Sequence, residues 1–85
     1  MNKKDNNLFE GKKILITGGT GSFGKTVCQY FLKHGANQIK IFSRDEKKQA
    51  DMRHQFSDDR LTLHVGDIRD YESIYEACYE VDYVF

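Results

Sequence analysis

The sequence lacks an excess of charge of either sign, because 13 lysines and arginines balance 13 aspartates and glutamates. A chain without net charge exerts no long-range attraction on nucleic acid or on an anionic membrane. Long hydrophobic runs are missing too, and the longest aliphatic run covers only residues 14–16. That run is far too short for a transmembrane helix or for the core of a signal peptide. We therefore expect neither nucleic acid nor a membrane as a partner.

Cysteine and histidine are scarce and widely spaced. Cys28 and Cys78 form no C-x-x-C pair, and we expect two buried thiols of a reduced, cytosolic protein. The three histidines, His34, His54 and His64, have no metal-ligand spacing with them, so we predict no metal site. The chain has 39% apolar and 31% charged residues in a length of 85, which is typical of one small globular domain.

Apolar periodicity predicts a strict alternation of strands and helices, after a flexible leader over residues 1–11. The predicted strands are Lys13–Thr17, Ile39–Phe42, Leu61–Val65 and one that begins at Tyr83. The predicted helices run from Ser22 to a left-handed cap at Gly35, from Asp45 to about Phe56, and onward from an N-cap at Asp70. This alternation is typical of an α/β protein with a parallel sheet and right-handed crossovers.

We therefore predict that residues 12–85 form the N-terminal part of a doubly wound, parallel-sheet Rossmann fold, truncated just after its fourth strand begins. We expect the chain to be the first piece of a longer protein. Because its sheet would have unpaired edges, we also expect the piece to be poorly soluble or partly unfolded by itself.

Each helix carries apolar residues that predict its buried face. The predicted contacts of the three helices are, in order, Phe23, Gly24, Val27, Cys28, Phe31 and Leu32; then Ala50, Met52 and Phe56; then Ile74, Ala77, Cys78 and Val81.

The loop after the first strand, with the sequence TGGTGSFGKT over residues 17–26, matches two phosphate-binding motifs at once. A G-x-G-x-x-G dinucleotide fingerprint begins at Gly19, and the same span followed by Lys25-Thr26 also fits the P-loop of nucleotide triphosphatases. In both motifs backbone N–H groups at a helix N-terminus bind an anion, and side chains would block its approach.

Three features favour the dinucleotide interpretation over a P-loop or a turn that binds no phosphate. A large ring at Phe23 is awkward where a P-loop wraps a phosphate, but it suits a first helical turn that heads the core stripe. Gly24 falls on the same stripe, where a third glycine allows close packing of helix on strand. About twenty residues further on, the second strand ends in Ser43-Arg44, where such folds bind the adenosine ribose.

Ser43 and Arg44 stand where an NAD-specific site carries a carboxylate for the ribose 2′-hydroxyl. A guanidinium can instead bind a 2′-phosphate through paired N–H bonds, and Lys48 could add a second positive charge. We therefore predict NADP rather than NAD as the cofactor, while the interpretation of Arg44 and Lys48 as ordinary surface residues stays open. Asp45 lies beside the predicted phosphate, and we expect it to cap the second helix.

Asp67 and Ile68 follow the third strand, at the sheet edge where doubly wound folds bind their ligands. They are placed to meet an adenine, Asp67 through its exocyclic amine and Ile68 by flanking the ring. The alternative interpretation of Asp67 is a turn aspartate after a strand.

The glycine motif from Thr17 to Gly24, with the sequence GDIRD from Gly66 to Asp70, resembles the extended short-chain dehydrogenase/reductases. The run FSRDEKKQ over residues 42–49, followed by DMR at 51–53, is similar to the inverting UDP-N-acetylglucosamine 4,6-dehydratases of bacterial surface-polysaccharide synthesis. That group includes bifunctional dehydratase/5-epimerases. The resemblance covers residues 12–85.

The resemblance implies NADP chemistry on a UDP-sugar: oxidation at C4, loss of water across C5–C6, and return of hydride to C6. It also implies a cytosolic homo-oligomer. Motif and resemblance together predict an NADP site formed by Gly18, Thr20, Gly21, Ser22, Phe23, Gly24, Ser43, Arg44, Asp45, Lys48, Asp67 and Ile68.

The resemblance further implies that the catalytic Tyr-x-x-x-Lys pair, an Asp-Lys acid/base pair and the substrate domain lie beyond Phe85, so we assign no catalytic residue. None of the tyrosines in this sequence has a lysine four positions later. Three alternatives stay open: a nucleotide-sugar epimerase or reductase of the same superfamily, a non-catalytic NADP-binding regulator, and a nucleotide triphosphatase.

Overall fold

A computed structural model describes residues 8–18 and 21–85. Within these ranges strands and helices alternate in the order β1 (Lys13–Thr17), α1 (Ser22–Lys33), β2 (Gln38–Ser43), α2 (Glu46–Phe56), β3 (Leu61–Val65), α3 (Tyr71–Ala77) and β4 (Tyr83–Val84). The strands form one sheet in the order β3-β2-β1-β4, and every neighbouring pair is parallel. The predicted α/β fold, the N-terminal part of a doubly wound parallel sheet, is therefore confirmed.

β1 lies inside the sheet because its middle residues are apolar on both sides. Ile14, Leu15 and Ile16 are at most 3% exposed. Ile14 and Ile16 belong to one apolar cluster and Leu15 to another, so the strand separates two cores. A strand that is covered on both faces needs such a continuous apolar run.

The helices cover the two faces of the sheet unequally. Cys28 and Phe31 from α1 and Met52 from α2 belong to the larger cluster on one face. On the other face Ala77 from α3 packs with Phe42 and Leu15. The chain therefore changes faces when it passes from β3 through α3 to β4, on the far side of β1. This reversal is a topological switch point, where open α/β sheets bind their ligands.

Phe23 does not lie in the core, and the prediction that it heads the buried stripe of α1 is wrong. Its side chain is 82% exposed. The buried residues of the helix are Gly24, Cys28 and Phe31, which confirms the predicted burial of Gly24. Consecutive residues of a helix point about 100° apart around its axis. Phe23 therefore leaves the stripe that Gly24 occupies, in a first turn that no other element covers among the described residues.

The buried face of α2 also differs from the prediction. Met52 is buried as expected, but Ala50 is exposed and its neighbour Gln49 is buried instead. The amide Nε2 of Gln49 donates to the carbonyl oxygens of Ser43 at 3.2 Å and His64 at 3.1 Å. A polar side chain can stay buried when its hydrogen bonds are made, and here those bonds join α2 to the ends of two strands.

The two cysteines have different environments. Cys28 is buried as predicted, and desolvation raises the pKa of its thiol to about 11. Cys78 is exposed, so the prediction of a second buried thiol is wrong. The physical reason is that α3 ends at Ala77, and Cys78 is the C-cap that follows the helix.

Arg60 joins the start of β3 to the end of α1. Its Nη1 donates to the carbonyl oxygens of Leu32 and Ala36, each at 3.2 Å. Asp58 holds the same guanidinium from the other side, accepting from Nε at 3.0 Å and from Nη2 at 2.9 Å. Hydrogen bonds from the Arg60 side chain are the main reason that the pKa of Asp58 is lowered to about 2.

The turn that precedes β1 packs against α1 and the loop that follows it. The Phe9 ring meets the Phe31 ring edge-on, with centroids 4.7 Å apart. The N–H of Gly11 donates to the carbonyl oxygen of Gly35 at 3.0 Å. Residues 1–7 of the predicted leader lie outside the described residues, and the division between residues 11 and 12 stays a prediction.

Candidate functional site

A cleft of about 530 Å³ opens at the carboxyl ends of β1, β2 and β3, beside the switch point. Its volume falls within the range of about 300–1,000 Å³ that is usual for small-molecule sites. The residues that line it are Thr17, Gly18, Phe42, Ser43, Arg44, Gly66, Asp67, Ile68 and Arg69. They come from the residues that end each strand and from the turns that follow.

The turn after β1 crosses the end of β2. The N–H of Gly18 donates to the carbonyl oxygen of Phe42 at 2.8 Å. Gly18 has a φ of +67°, a left-handed conformation that favours glycine. The chain can therefore leave the sheet directly after β1, at the edge of the cleft.

Gly66 lets the end of β3 lie directly on an aromatic ring of β2. A Cβ atom at residue 66 would be 2.8 Å from Cζ of Phe42 and 3.2 Å from Oγ of Ser73. The N–H of Gly66 also donates to the carbonyl oxygen of Ser43 at 3.0 Å. These contacts fix the turn that carries Asp67 and Ile68 into the cleft.

Asp67 lies between two guanidinium groups. Arg69 donates to its carboxylate from Nη2 at 2.8 Å and from Nε at 3.1 Å, and its backbone N–H donates at 2.9 Å. Arg44 Nη1 lies 3.5 Å from Oδ2 of the same carboxylate. These side-chain hydrogen bonds from Arg69, with smaller contributions from its backbone and from both positive charges, hold the pKa of Asp67 far below its usual range. Asp67 is therefore paired with two cations, and its negative charge is compensated inside the cleft.

The turn between β2 and α2 is ordered by Ser43 and Asp45. The N–H of Asp45 donates to Oγ of Ser43 at 3.1 Å. Asp45 Oδ1 accepts from the N–H of Lys48 at 3.0 Å, which confirms the predicted N-cap. A second recess of about 690 Å³ shares Ser43 and Arg44 with the cleft and is also lined by Asp45, Glu46 and Val65. Arg44 therefore lies between the two recesses.

The glycine loop ends in an open helix N-terminus. α1 begins at Ser22, and its N-cap, Gly21, has an extended backbone with φ −80° and ψ 178°. Apart from its neighbours in the chain, no described residue has an atom within 4 Å of the position that a Cβ atom on Gly21 would take. The first turn of α1 carries no acidic residue, so its positive dipole end is not neutralised there.

The structure brings together five of the residues that sequence analysis assigned to a cofactor site. They are Gly18, Ser43, Arg44, Asp67 and Ile68, which line the cleft, and Asp45 lines the adjoining recess. Among the described residues, the lining of these two spaces does not include Gly21, Ser22, Phe23, Gly24 or Lys48. Thr20, like Gly19, lies outside the described residues.

Four further residues line the cleft without having been assigned to the site: Thr17, Phe42, Gly66 and Arg69. A signal for Arg69 exists in the sequence, because Asp-x-Arg directly after a strand allows the arginine to turn back onto the carboxylate. The closeness of Gly66 to Phe42 is a three-dimensional contact and has no such local signal.

Neither a metal cluster nor a membrane-spanning helix occurs within residues 8–18 and 21–85. These residues contain no group of three or more His, Cys, Asp or Glu side chains placed to hold a metal ion. None of the helices there combines the length and the apolar character that crossing a membrane requires.

An open parallel sheet with a glycine turn after its first strand and a cleft at its switch point defines a dinucleotide-fold protein of the short-chain dehydrogenase/reductase type. The family model described as "Polysaccharide biosynthesis protein" matches residues 14–85, and the chain belongs to this family.

Known proteins support the same placement. A UDP-glucose 4-epimerase of Rickettsia massiliae is 52% identical over 82 residues, which cover 92% of this chain and 24% of that protein. Pen from Bacillus thuringiensis has a TM-score of 0.87 at 36% identity, covering 91% of this chain and 24% of that one. The epimerase Mth375 of Methanothermobacter thermautotrophicus has a TM-score of 0.77 at 28% identity, covering 96% and 24%.

The chain thus spans about a quarter of the length of the curated relatives that it matches. The resemblance to the extended short-chain dehydrogenase/reductases of nucleotide-sugar metabolism is confirmed at this level. The narrower resemblance to 4,6-dehydratases stays a prediction, and the relatives' name corresponds to the epimerase alternative.

Proposed function

We propose that this chain is the NADP-binding part of an enzyme that modifies a UDP-sugar, and that the enzyme is a UDP-N-acetylglucosamine 4,6-dehydratase of surface-polysaccharide synthesis. The observation that carries the proposal is the cleft at the switch point, where Gly18, Arg44 and Ile68 lie around one opening. The family and its nucleotide-sugar relatives support the same class of substrate.

The chemistry of the cleft fits the adenosine half of the cofactor. The Arg44 guanidinium is suited to a 2′-phosphate, and the hydroxyl of Ser43 lies beside it at the end of β2. Ile68 offers an exposed apolar side chain for the flat face of an adenine. The open N-terminus of α1 suits the pyrophosphate, because its N–H groups and dipole favour an anion.

The pairing of Asp67 with Arg69 and Arg44 supports NADP rather than NAD. An NAD site carries a carboxylate for the ribose hydroxyls, and that carboxylate would repel a 2′-phosphate. Here the corresponding place at the end of β2 carries Ser43 and Arg44, and the carboxylate of Asp67 is already engaged by Arg69.

A bound nicotinamide supplies a hydride acceptor that is regenerated within each turnover. The described residues bind and orient its adenosine end. We assign the proton transfers and the sugar contacts to the part of the enzyme beyond Phe85, together with the substrate domain. Residues 12–85 are then the first portion of the cofactor domain, in a cytoplasmic homo-oligomer.

A UDP-sugar 4-epimerase is the second candidate, and the 52% identity to the Rickettsia massiliae UDP-glucose 4-epimerase favours it. Both activities begin with oxidation at C4 of the sugar. They differ in the next step, because the dehydratase removes water across C5–C6, whereas the epimerase returns hydride to the other face of C4.

The test uses the complete protein that contains this chain. Incubation with UDP-N-acetylglucosamine and with UDP-glucose, followed by mass spectrometry and NMR of the products, separates the candidates. A 4-keto-6-deoxy product, lighter than its substrate by one water molecule, supports the dehydratase, while a C4 epimer of unchanged mass supports the epimerase.

Calorimetric titration of the same protein with NADP, NAD and ATP tests the cofactor. Tightest binding of NADP is expected. NADP binding without turnover of either sugar would point to a regulator, and binding of ATP with Mg²⁺ in place of a dinucleotide would contradict the proposal altogether.

A further inference from the structure

Arg69 holds the carboxylate of Asp67 much more closely than Arg44 does. Nε and Nη2 of Arg69 reach both carboxylate oxygens, with the shortest contact at 2.8 Å to Oδ2. Arg44 approaches only Oδ2, from 3.5 Å. A two-pronged contact between arginine and carboxylate is the stronger arrangement, so Arg69 dominates this site.

The two arginines compete for the same oxygen. Each carboxylate oxygen offers about two acceptor positions. Oδ1 of Asp67 accepts from Arg69 twice, through the backbone N–H and Nε, and Oδ2 accepts from Nη2 with Nε at a longer 3.3 Å. Little acceptor capacity is left for Arg44, whose side chain stays 67% exposed beside the cleft.

We propose that Arg69 is a positioning residue that determines cofactor specificity: by filling most acceptor positions of Asp67, it limits Arg44 to a 3.5 Å ion pair without a close hydrogen bond, so that the Arg44 guanidinium can turn to the 2′-phosphate. The inference rests on the proposed NADP site. It gives Arg69 a role that depends on competition for one carboxylate and needs no contact between Arg69 and the cofactor.

The competition also has a consequence for the adenine. When Arg44 turns to a 2′-phosphate, it gives up its 3.5 Å ion pair with Oδ2 of Asp67 and clears that side of the carboxylate. That side then suits the exocyclic amine of an adenine next to Ile68. NADP, which draws Arg44 away, therefore gains this contact more readily than NAD.

The test measures affinities for NADP and NAD by calorimetry on the complete protein and its variants. In Arg69→Gln, Asp67 loses its main partner and pairs with Arg44. We expect NADP affinity to fall by at least about tenfold, the scale of a hydrogen bond to a charged group. NAD affinity should change by less than about threefold, because no 2′-phosphate is involved.

A double-mutant cycle separates competition from a simple loss of charge. In the Asp67→Asn background there is no carboxylate to capture Arg44, so adding Arg69→Gln should leave the NADP/NAD affinity ratio nearly unchanged. Arg69→Lys keeps the charge but loses the two-pronged contact. Compared with Arg69→Gln, it should recover only a small part of the NADP/NAD affinity ratio of the unaltered protein. Thermal melts verify that each variant is folded.

The results that overturn the inference are distinct from those that overturn the proposed function. If Arg69→Gln lowers the affinity for NADP and for NAD equally, Arg69 has only a structural role. If Arg69→Gln lowers NADP affinity by the same factor with Asp67 and with Asp67→Asn, Arg69 acts only through its charge. An NADP/NAD affinity ratio in Arg69→Lys equal to that of the unaltered protein would also show that only the positive charge at position 69 matters. If the unaltered protein binds no dinucleotide, both the proposed function and this inference fall.

Discussion

Gly66 lies against the Phe42 ring so closely that any side chain at position 66 would collide with it. The ring belongs to β2, is buried against Leu15 of β1 and Ala77 of α3, and lines the cleft. Gly66 does not belong to the glycines with positive φ, so its requirement is for space rather than for an unusual backbone.

We therefore expect Gly66→Ala to lower the free energy of unfolding by about 1–3 kcal/mol, the usual cost of overpacking a well-packed site. Chemical denaturation of the complete protein, followed by circular dichroism, measures this loss. Unchanged stability would mean that the ring moves aside freely, and the contact between Gly66 and Phe42 would not fix the turn after β3.

Gly21 offers a matched control for the stability cost of Gly66→Ala, because space is open around Gly21 in the described structure. Serine is a good N-cap residue, and the extended backbone of Gly21 accepts a side chain. We expect Gly21→Ser to keep or slightly raise stability but to lower dinucleotide affinity by at least about tenfold, because a side chain there blocks the pyrophosphate. Calorimetry with NADP checks this, and unimpaired binding would argue against a pyrophosphate at α1.

Arg44 is expected to account for the preference between the two cofactors. Arg44→Ala should cost about 1.5–3 kcal/mol of NADP binding, which is a loss of roughly 10- to 150-fold, and should affect NAD much less. Arg53→Ala on α2 removes the same type of exposed residue away from the cleft and controls for net charge. A similar loss for both cofactors would defeat the assignment of Arg44 to the 2′-phosphate.

The Asp58–Arg60 pair predicts a pH dependence of stability. Because the pKa of Asp58 in the folded chain is lowered to about 2 from 3.8, its contribution is fully present above about pH 5 and is lost as the pH falls towards 2. The difference in unfolding free energy between the unaltered protein and Asp58→Asn should therefore shrink over that interval.

Urea denaturation at a series of pH values between about 2.5 and 7, near the range set by this shift, measures that difference. Asp59→Asn, an exposed change next to it in the sequence, controls for the lost charge. A difference between the unaltered protein and Asp58→Asn that stays constant or grows on acidification would contradict the assignment.

The alternation of strands and helices along the chain was predictable because each element depends on local patterns. The apolar run of β1 ends at Gly18, and the predicted N-caps Asp45 and Asp70 begin their helices as expected. These signals lie within a few residues of the features that they specify, so a single sequence suffices to find them.

The errors occurred where burial depends on which neighbour covers a position. Phe23 fits the helical period but lies at a helix end that has no covering element in the described structure, and Cys78 falls just after α3 ends. Gln49 is buried because two strand carbonyls happen to face it. Such facts depend on the three-dimensional arrangement, which periodicity does not contain.

The candidate site was predicted in part for the same reason. Ser43, Arg44, Asp67 and Ile68 follow strands whose carboxyl ends meet, so topology alone brings them together. The pairing of Asp67 with Arg69 involves a choice between two arginines, and only the geometry of both side chains decides it.

The bonds from Arg60 to Leu32 and Ala36 have a mechanical consequence for α1. They tie the C-terminal end of α1 to the start of β3, which lies two positions from β1 in the sheet. The N-terminal end of α1 follows the glycine-rich sequence after β1. We therefore expect the helix to move most at its N-terminal end, where the proposed pyrophosphate would bind. Amide hydrogen exchange should be slowest near the C-terminal end of α1 and faster in its first turn. An anion that binds at the first turn should slow the exchange there.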